Sequence, residues 1–220
     1  MSSASEFEIV EGELSWHRNA AWLYPDGDYP EWAAKAGKTL VKYRGKQTHV
    51  VIPQGVREIG DKAFFRNTTL QSVVIPESVY YPGMRSFCGC TNLRLLVFEG
   101  TVQVWPGLGF IDRKSDAMIL FKGNSFRGVQ EPIRSNALSG FLYAFENSIE
   151  LDKNVYADNL AFLKRRRKKL YLEAIQRITL LKLMLDERLI PKKEIGDILS
   201  LAQATKNVEA AAMILAYSNQ

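Results

Sequence analysis

Apolar residues in the first half of the chain recur at two periods. Over short range they alternate: "LQSVVI" (Leu70 to Ile75), "LRLLVF" (Leu93 to Phe98) and the fainter "DAMILF" (Asp116 to Phe121) follow L-x-x-L-x-L. Alternation sends successive side chains to opposite faces of a strand. Over longer range the whole outline returns after 23 residues: Ile52 falls on Ile75, Pro53 on Pro76, Val56 on Val79, Gly60 on Gly83, Phe64 on Phe87 and Leu70 on Leu93. A third copy keeps Val102, Phe110, Ile119 and Phe121 but has lost the proline and glycine marks. A fixed period of about 20 to 29 residues is the signature of a solenoid, each coil carrying one strand and one return segment.

About three such coils stack their strands into a parallel sheet. The predicted inward columns are Val50, Val73, Leu96, Ile119 and Ile52, Ile75, Phe98, Phe121. Pro53 and Pro76 end their strands, because proline has no N–H to give the ladder. Gly60 and Gly83 are expected in tight turns, and Phe64 and Phe87 are expected to plug the far side of each coil.

The residues "IPQGVREIGDKAFFRNTTLQSVVIPESV" resemble the BspA-like class of leucine-rich repeats, whose pattern runs I-P-x-x-V-x-x-I-G-x-x-A-F-x-x-C-x-x-L. Cys90 occupies the cysteine slot, and Asn67 replaces it in the copy before. "LVKYRGKQTHVVIP", Leu40 to Pro53, is similar to the lead-in that opens such arrays. The resemblance spans roughly residues 38 to 123, with Tyr81-Pro82 in place of the expected Ile-Gly neighbourhood. It implies adhesion or protein binding, without catalysis.

The second half changes period. Leu160, Leu163, Leu170, Tyr171, Ala174, Ile175 and Ile178 recur at helical spacing, with Arg167 filling the gap in the stripe. "ITLLKLMLDERLI", "PKKEIGDILSLAQATK" and "VEAAAMILAY" predict further helices, and their short connections predict antiparallel hairpins. Asp197 to Tyr217 resembles the paired helices of an ankyrin repeat, without its T-P-L-H mark. The predicted class is α+β: residues 1–45 an aromatic cap and lead-in, 46–125 the solenoid, 126–153 a linker or terminal coil, and 154–220 a helical domain.

Two surfaces stand out. The outward positions of the strands form an aliphatic column, Val51, Val74, Val97 and Leu120, flanked by His49, Ser72, Leu95 and Met118. Exposed apolar patches of that extent are rare on soluble monomers, so something is expected to cover this face. The N-terminal segment or the C-terminal helices answer that need from within; a protein partner or a second copy answers it from outside. The candidate partner surface is Val51, Val74, Val97, Leu120, Ser72 and Leu95. The second surface comes from charge. Residues 1–153 hold 17 basic and 17 acidic side chains, while 154–220 hold 12 and 7, so the net +5 lies in the last third. Lys164, Arg165, Arg166, Lys168 and Lys169 are candidates for an anionic partner, nucleic acid above all. The plainer reading of the same run is a solvated helix face whose long stems cover apolar surface.

Other chemistry is thin. Ala36 to Thr39, "AGKT", ends like a phosphate-binding loop, but Trp32 stands where its first glycine belongs and a strand pattern follows. The two cysteines, Cys88 and Cys90, are one residue apart, and the two histidines, His17 and His49, have no ligand spacing to them. No catalytic residue, metal site or cofactor is expected. The aromatic stretch "WLYPDGDYPEW" reads as a solenoid cap or, alternatively, a carbohydrate-stacking loop. No stretch reaches about 18 uninterrupted apolar residues, and the amino terminus lacks the basic and apolar regions of a signal. The expectation is a cytoplasmic protein-binding module, or a secreted or surface one if a signal was removed.

Overall fold

A strand with apolar residues at every second position is held in place by whichever face is buried. The computed structural model describes residues 6–14, 36–102, 109–131 and 133–219. Within them lie β1 (Phe7–Glu13), β2 (Ala36–Tyr43), β3 (His49–Val51), β4 (Val56–Ile59), β5 (Ser72–Ile75), β6 (Tyr81–Pro82), β7 (Leu95–Phe98) and β8 (Met118–Phe121). Strands β3, β5, β7 and β8 form one parallel sheet in that order. Its register is the 23-residue repeat itself: His49 pairs with Ser72, Leu95 and Met118 in turn, and Val50 with Val73, Leu96 and Ile119. Both predicted inward columns are buried, Val73, Ile75, Leu96 and Ile119 completely.

The return segment holds more structure than alternation alone reveals. Strands β2, β4 and β6 form a second parallel sheet on the other side of the coil, with β1 antiparallel on its edge. "AGKT" therefore lies in strand β2, not in a phosphate-binding turn. Between the sheets the aromatic plugs stack from coil to coil: Tyr43 on Phe64 at 5.1 Å between ring centroids, and Phe64 on Phe87 at 4.9 Å. Main-chain bonds tie the turns together as well, Phe64 N–H to the Ser86 carbonyl at 2.8 Å and Arg66 N–H to that of Cys88 at 2.9 Å.

Gly60 and Gly83 serve differently from the expectation of tight turns. Neither has positive φ. A Cβ on Gly83 would lie 2.5 Å from the Ile59 carbonyl oxygen, and one on Gly60 3.1 Å from that of Leu40, so glycine here lets neighbouring coils approach. Left-handed backbone recurs instead at Lys62 and Arg85 and at Arg66 and Gly89, each pair 23 residues apart.

Helix α1 (Ile133–Glu146) lies within the segment expected as a linker or terminal coil. The chain forms two compact units, residues 1–140 and 141–220. In the first, the end of the solenoid is closed by the front of α1. Gly140 lies so close to β8 that a Cβ there would overlap the Ile119 carbonyl.

The second unit is helical: α2 (Lys153–Gln176), α3 (Ile178–Asp186), α4 (Ile195–Ala204) and α5 (Val208–Ser218). Asp152 starts α2 by accepting hydrogen bonds from the N–H groups of Asn154 and Val155. The helices pair as α2 with α3 and α4 with α5, and the two hairpins stack, α3 on α5 and α2 on α4. Asn207 joins them: its Oδ1 caps α5 at Ala210 N–H, while its Nδ2 donates to the Ile175 carbonyl at 2.7 Å. Of the helical stripe expected from spacing, Leu163, Tyr171, Ala174 and Ile175 are buried and Leu160, Leu170 and Ile178 half-buried; Leu180, Leu181, Ile198 and Ile214 are buried as well.

Candidate functional site

The outer face of the β3–β5–β7–β8 sheet carries His49, Val51, Ser72, Val74, Leu95, Val97, Met118 and Leu120, because these alternate with the buried columns. None of the eight is a lysine, arginine, aspartate or glutamate. Their exposure is graded along the sheet. Val51 is 67% exposed, Val74 is half-buried, Val97 falls to 9% and Leu120 to 2%. Alternation places all four on the outward face, which is expected to be covered from within the chain or by a partner. Val97 and Leu120 are the two that are buried; alternation states which side a residue faces and is silent on what covers that side. The accessible strip is Val51, Val74, Leu95 and Met118, with Ser72 beside it. At its edge His49 Nδ1 and Ser72 Oγ share a hydrogen bond of 2.8 Å.

The basic run occupies the middle of α2. Lys164, Arg165, Arg166, Lys168 and Lys169 are exposed, and Arg166 rests over the Phe162 ring at 4.8 Å. Arg167 turns inward. Its Nε and Nη2 donate to the two carboxylate oxygens of Glu194, at 3.0 and 2.7 Å, and the Tyr171 hydroxyl donates to the same carboxylate. These Arg167 and Tyr171 hydrogen bonds hold the Glu194 carboxyl well below the usual carboxylate range, at about 2. Burial, followed by the bond to Glu194, raises the Tyr171 hydroxyl above its ordinary value. Spacing alone placed Arg167 in the apolar stripe. Its partner, 27 residues away, has no signal in the sequence. Glu194 belongs to the 3-10 turn Lys192–Glu194, so the exposed Lys192 and Lys193 flank the anchored carboxylate.

The thiols are not poised for chemistry. Burial, reinforced by the hydrogen bond and charge of Asp112, pushes Cys88 up to about 12, and burial pushes Cys90 up to about 11. Cys90 Sγ donates to the Phe64 carbonyl one coil back, at 3.1 Å, which fits a structural cysteine. Among the described residues no group of three or more His, Cys, Asp or Glu side chains is placed to hold a metal ion. No helix among them is long and apolar enough to cross a membrane. Trp16, Trp22, Tyr24, Tyr29 and Trp32, read as a cap or a sugar-stacking loop, lie outside the described residues.

Residues 37–127 match the family described as "BspA type Leucine rich repeat region (6 copies)". No curated protein matches the chain. Two solved structures are similar. One is a leucine rich cell surface protein from Faecalibacterium prausnitzii, 18% identical, covering 55% of this chain and 31% of that one, with a TM-score of 0.35. The other is a T. pallidum leucine rich repeat protein, 25% identical, covering 56% and 52%, with a TM-score of 0.32. The chain thus spans about a third of the one and about half of the other.

Proposed function

We infer that this chain, whose residues 37–127 are a BspA-type leucine-rich repeat region, is a non-catalytic module that binds a protein partner on the outer face of its β3–β5–β7–β8 sheet. One observation carries the reading: an apolar strip, with Val51 exposed and Val74, Leu95 and Met118 half-buried, stays accessible on a face where Val97 and Leu120 are buried. The cores of protein interfaces are depleted of charge and ringed by polar groups, and the His49–Ser72 pair supplies such a rim here. Burying apolar surface against a partner gains about 25 cal/mol per Å² before the costs of association. Repetition favours the same use, because stacked coils present extended binding surfaces. The protonated state of both cysteine thiols supports a role without nucleophilic chemistry.

The test is crosslinking in the source organism. A photoreactive residue is placed at Val74 in the full chain, with and without Val51→Glu. The expected result is one protein adduct that disappears in the Glu variant. An adduct to a second copy of the chain identifies self-association instead. No adduct, or one indifferent to Val51→Glu, overturns the assignment of this face.

A further inference from the structure

A helix advances about 100° per residue, so Lys164, Lys168, Arg165, Lys169 and Arg166 fan over about 200° of the α2 circumference. The sixth cation, Arg167, is withdrawn from that fan by its two bonds to Glu194, while the other five stay exposed, Lys168 with its Nζ 4.0 Å from the same carboxylate. Between Asp158 and Glu173 the helix carries no acidic residue. Lys192 and Lys193 extend the charge beyond the helix, held there because Glu194 ends their turn.

The shape of this charge distribution selects its counterpart. A flat anionic membrane meets one side of a helix, and a helix lying on it contributes its apolar side. In α2 that side is spent on the core, through Leu163, Tyr171, Ala174 and Ile175. Cations spread over half a cylinder are neutralised together only where anions stand on both flanks. The major groove of a B-form duplex, about 12 Å wide with phosphates along both walls, has that form and admits a helix about 10 to 12 Å across. The deep, narrow major groove of A-form RNA excludes it. We propose that the basic half-cylinder of α2, joined by Lys192 and Lys193, docks into the groove of duplex DNA. The contacts are to phosphates, and binding is indifferent to sequence. This surface is separate from the apolar strip of the sheet and does not depend on that reading.

The full-length protein is titrated against a fluorescent duplex of about two helical turns, from about 50 to about 200 mM salt. Seven phosphate contacts, five from α2 and two from Lys192 and Lys193, predict a slope of log K against log salt of about −6. Lys164→Ala/Arg165→Ala/Lys168→Ala, checked for an unchanged far-ultraviolet circular dichroism spectrum, should weaken binding about tenfold or more and flatten the slope by about 3. Lys192→Ala/Lys193→Ala, outside the helix, gives the same kind of effect with a change in slope of about 2. Absence of binding at the lowest salt overturns the proposal. So does an unchanged slope in both variants, equal affinity for a single strand of the same length, or tighter binding to phosphatidylserine vesicles.

Discussion

Asn136 donates from its side-chain nitrogen to the main-chain carbonyl of Ala117, 2.8 Å away. That carbonyl is the ladder equivalent of Gln71 and Arg94, whose carbonyls accept from Leu95 and Met118 in the following coil. A further coil would bond Ala117 in the same way, so Asn136 supplies the donor where the solenoid stops. The same nitrogen reaches the Ser115 carbonyl at 2.7 Å. Asn136→Ala should cost about 1 to 3 kcal/mol, because it strands acceptors at a buried site. Asn136→Asp should cost more, since its carboxylate faces those carbonyl oxygens. Urea unfolding of the two variants checks the order.

Glycines in contact with a neighbouring coil and glycines facing open space should respond oppositely to alanine. Gly83→Ala drives a Cβ to 2.5 Å from the Ile59 carbonyl oxygen and should destabilise by about 1 to 3 kcal/mol. Gly196, in the first turn of α4, has nothing within 4 Å of its would-be Cβ. Gly196→Ala should therefore stabilise by about 0.5 kcal/mol through the unfolded chain. Thermal melts distinguish the two directions.

The graded outer face predicts a split between two valines that alternation treats alike. Val51→Glu, at 67% exposure, should alter stability by about 0.5 kcal/mol or less. Val97→Glu, at 9%, places a carboxylate in apolar surroundings and should cost about 3 kcal/mol or more. Equal losses in denaturant midpoint would show that the face is covered evenly.

Acid should release Glu194. Its folded pKa of about 2 lies below an unfolded value of about 4.3, so the stabilisation it provides is complete above the unfolded value and vanishes as pH falls through the folded one. The stability gap between the wild type and Glu194→Gln should be flat above a pH of about 5 and narrow from there down to about 2. A gap that widens on acidification contradicts the Arg167–Glu194–Tyr171 arrangement.

Cys88 and Cys90, pushed up to about 12 and about 11, should carry a thiolate fraction of about a thousandth or less at a pH of about 8. Iodoacetamide should spare both in the folded chain and label both in denaturant, read by intact-mass spectrometry. Rapid labelling of the folded protein would mean that the coil opens locally.

Much of this structure was legible because a repeat doubles every signal. The pairing of His49, Ser72, Leu95 and Met118 follows directly from a period of 23. The second sheet was hidden because β4 reads Val-Arg-Glu-Ile, with no alternation, and β6 is only two residues long. The turns were hidden for a different reason: Lys62, Arg66 and Arg85 hold left-handed backbone that sequence reasoning reserves for glycine or asparagine. On the helical side, spacing placed Arg167 among apolar neighbours, yet only tertiary structure supplies Glu194 to meet it. The basic run was plain from composition; that Arg167 turns in to Glu194 while the other five stay exposed was not.

Because the strands of successive coils pair residue for residue at a fixed offset, the length of the solenoid comes in steps. Duplicating or deleting one whole 23-residue unit shifts the ladder by about 4.8 Å and leaves every inward side chain inward. Removing a single residue from a strand instead turns its buried side to water. Natural variation in such a chain should therefore come in whole coils, inserted ahead of the Asn136 stop, each adding another rung to the outer face of the sheet without redesign of the rest.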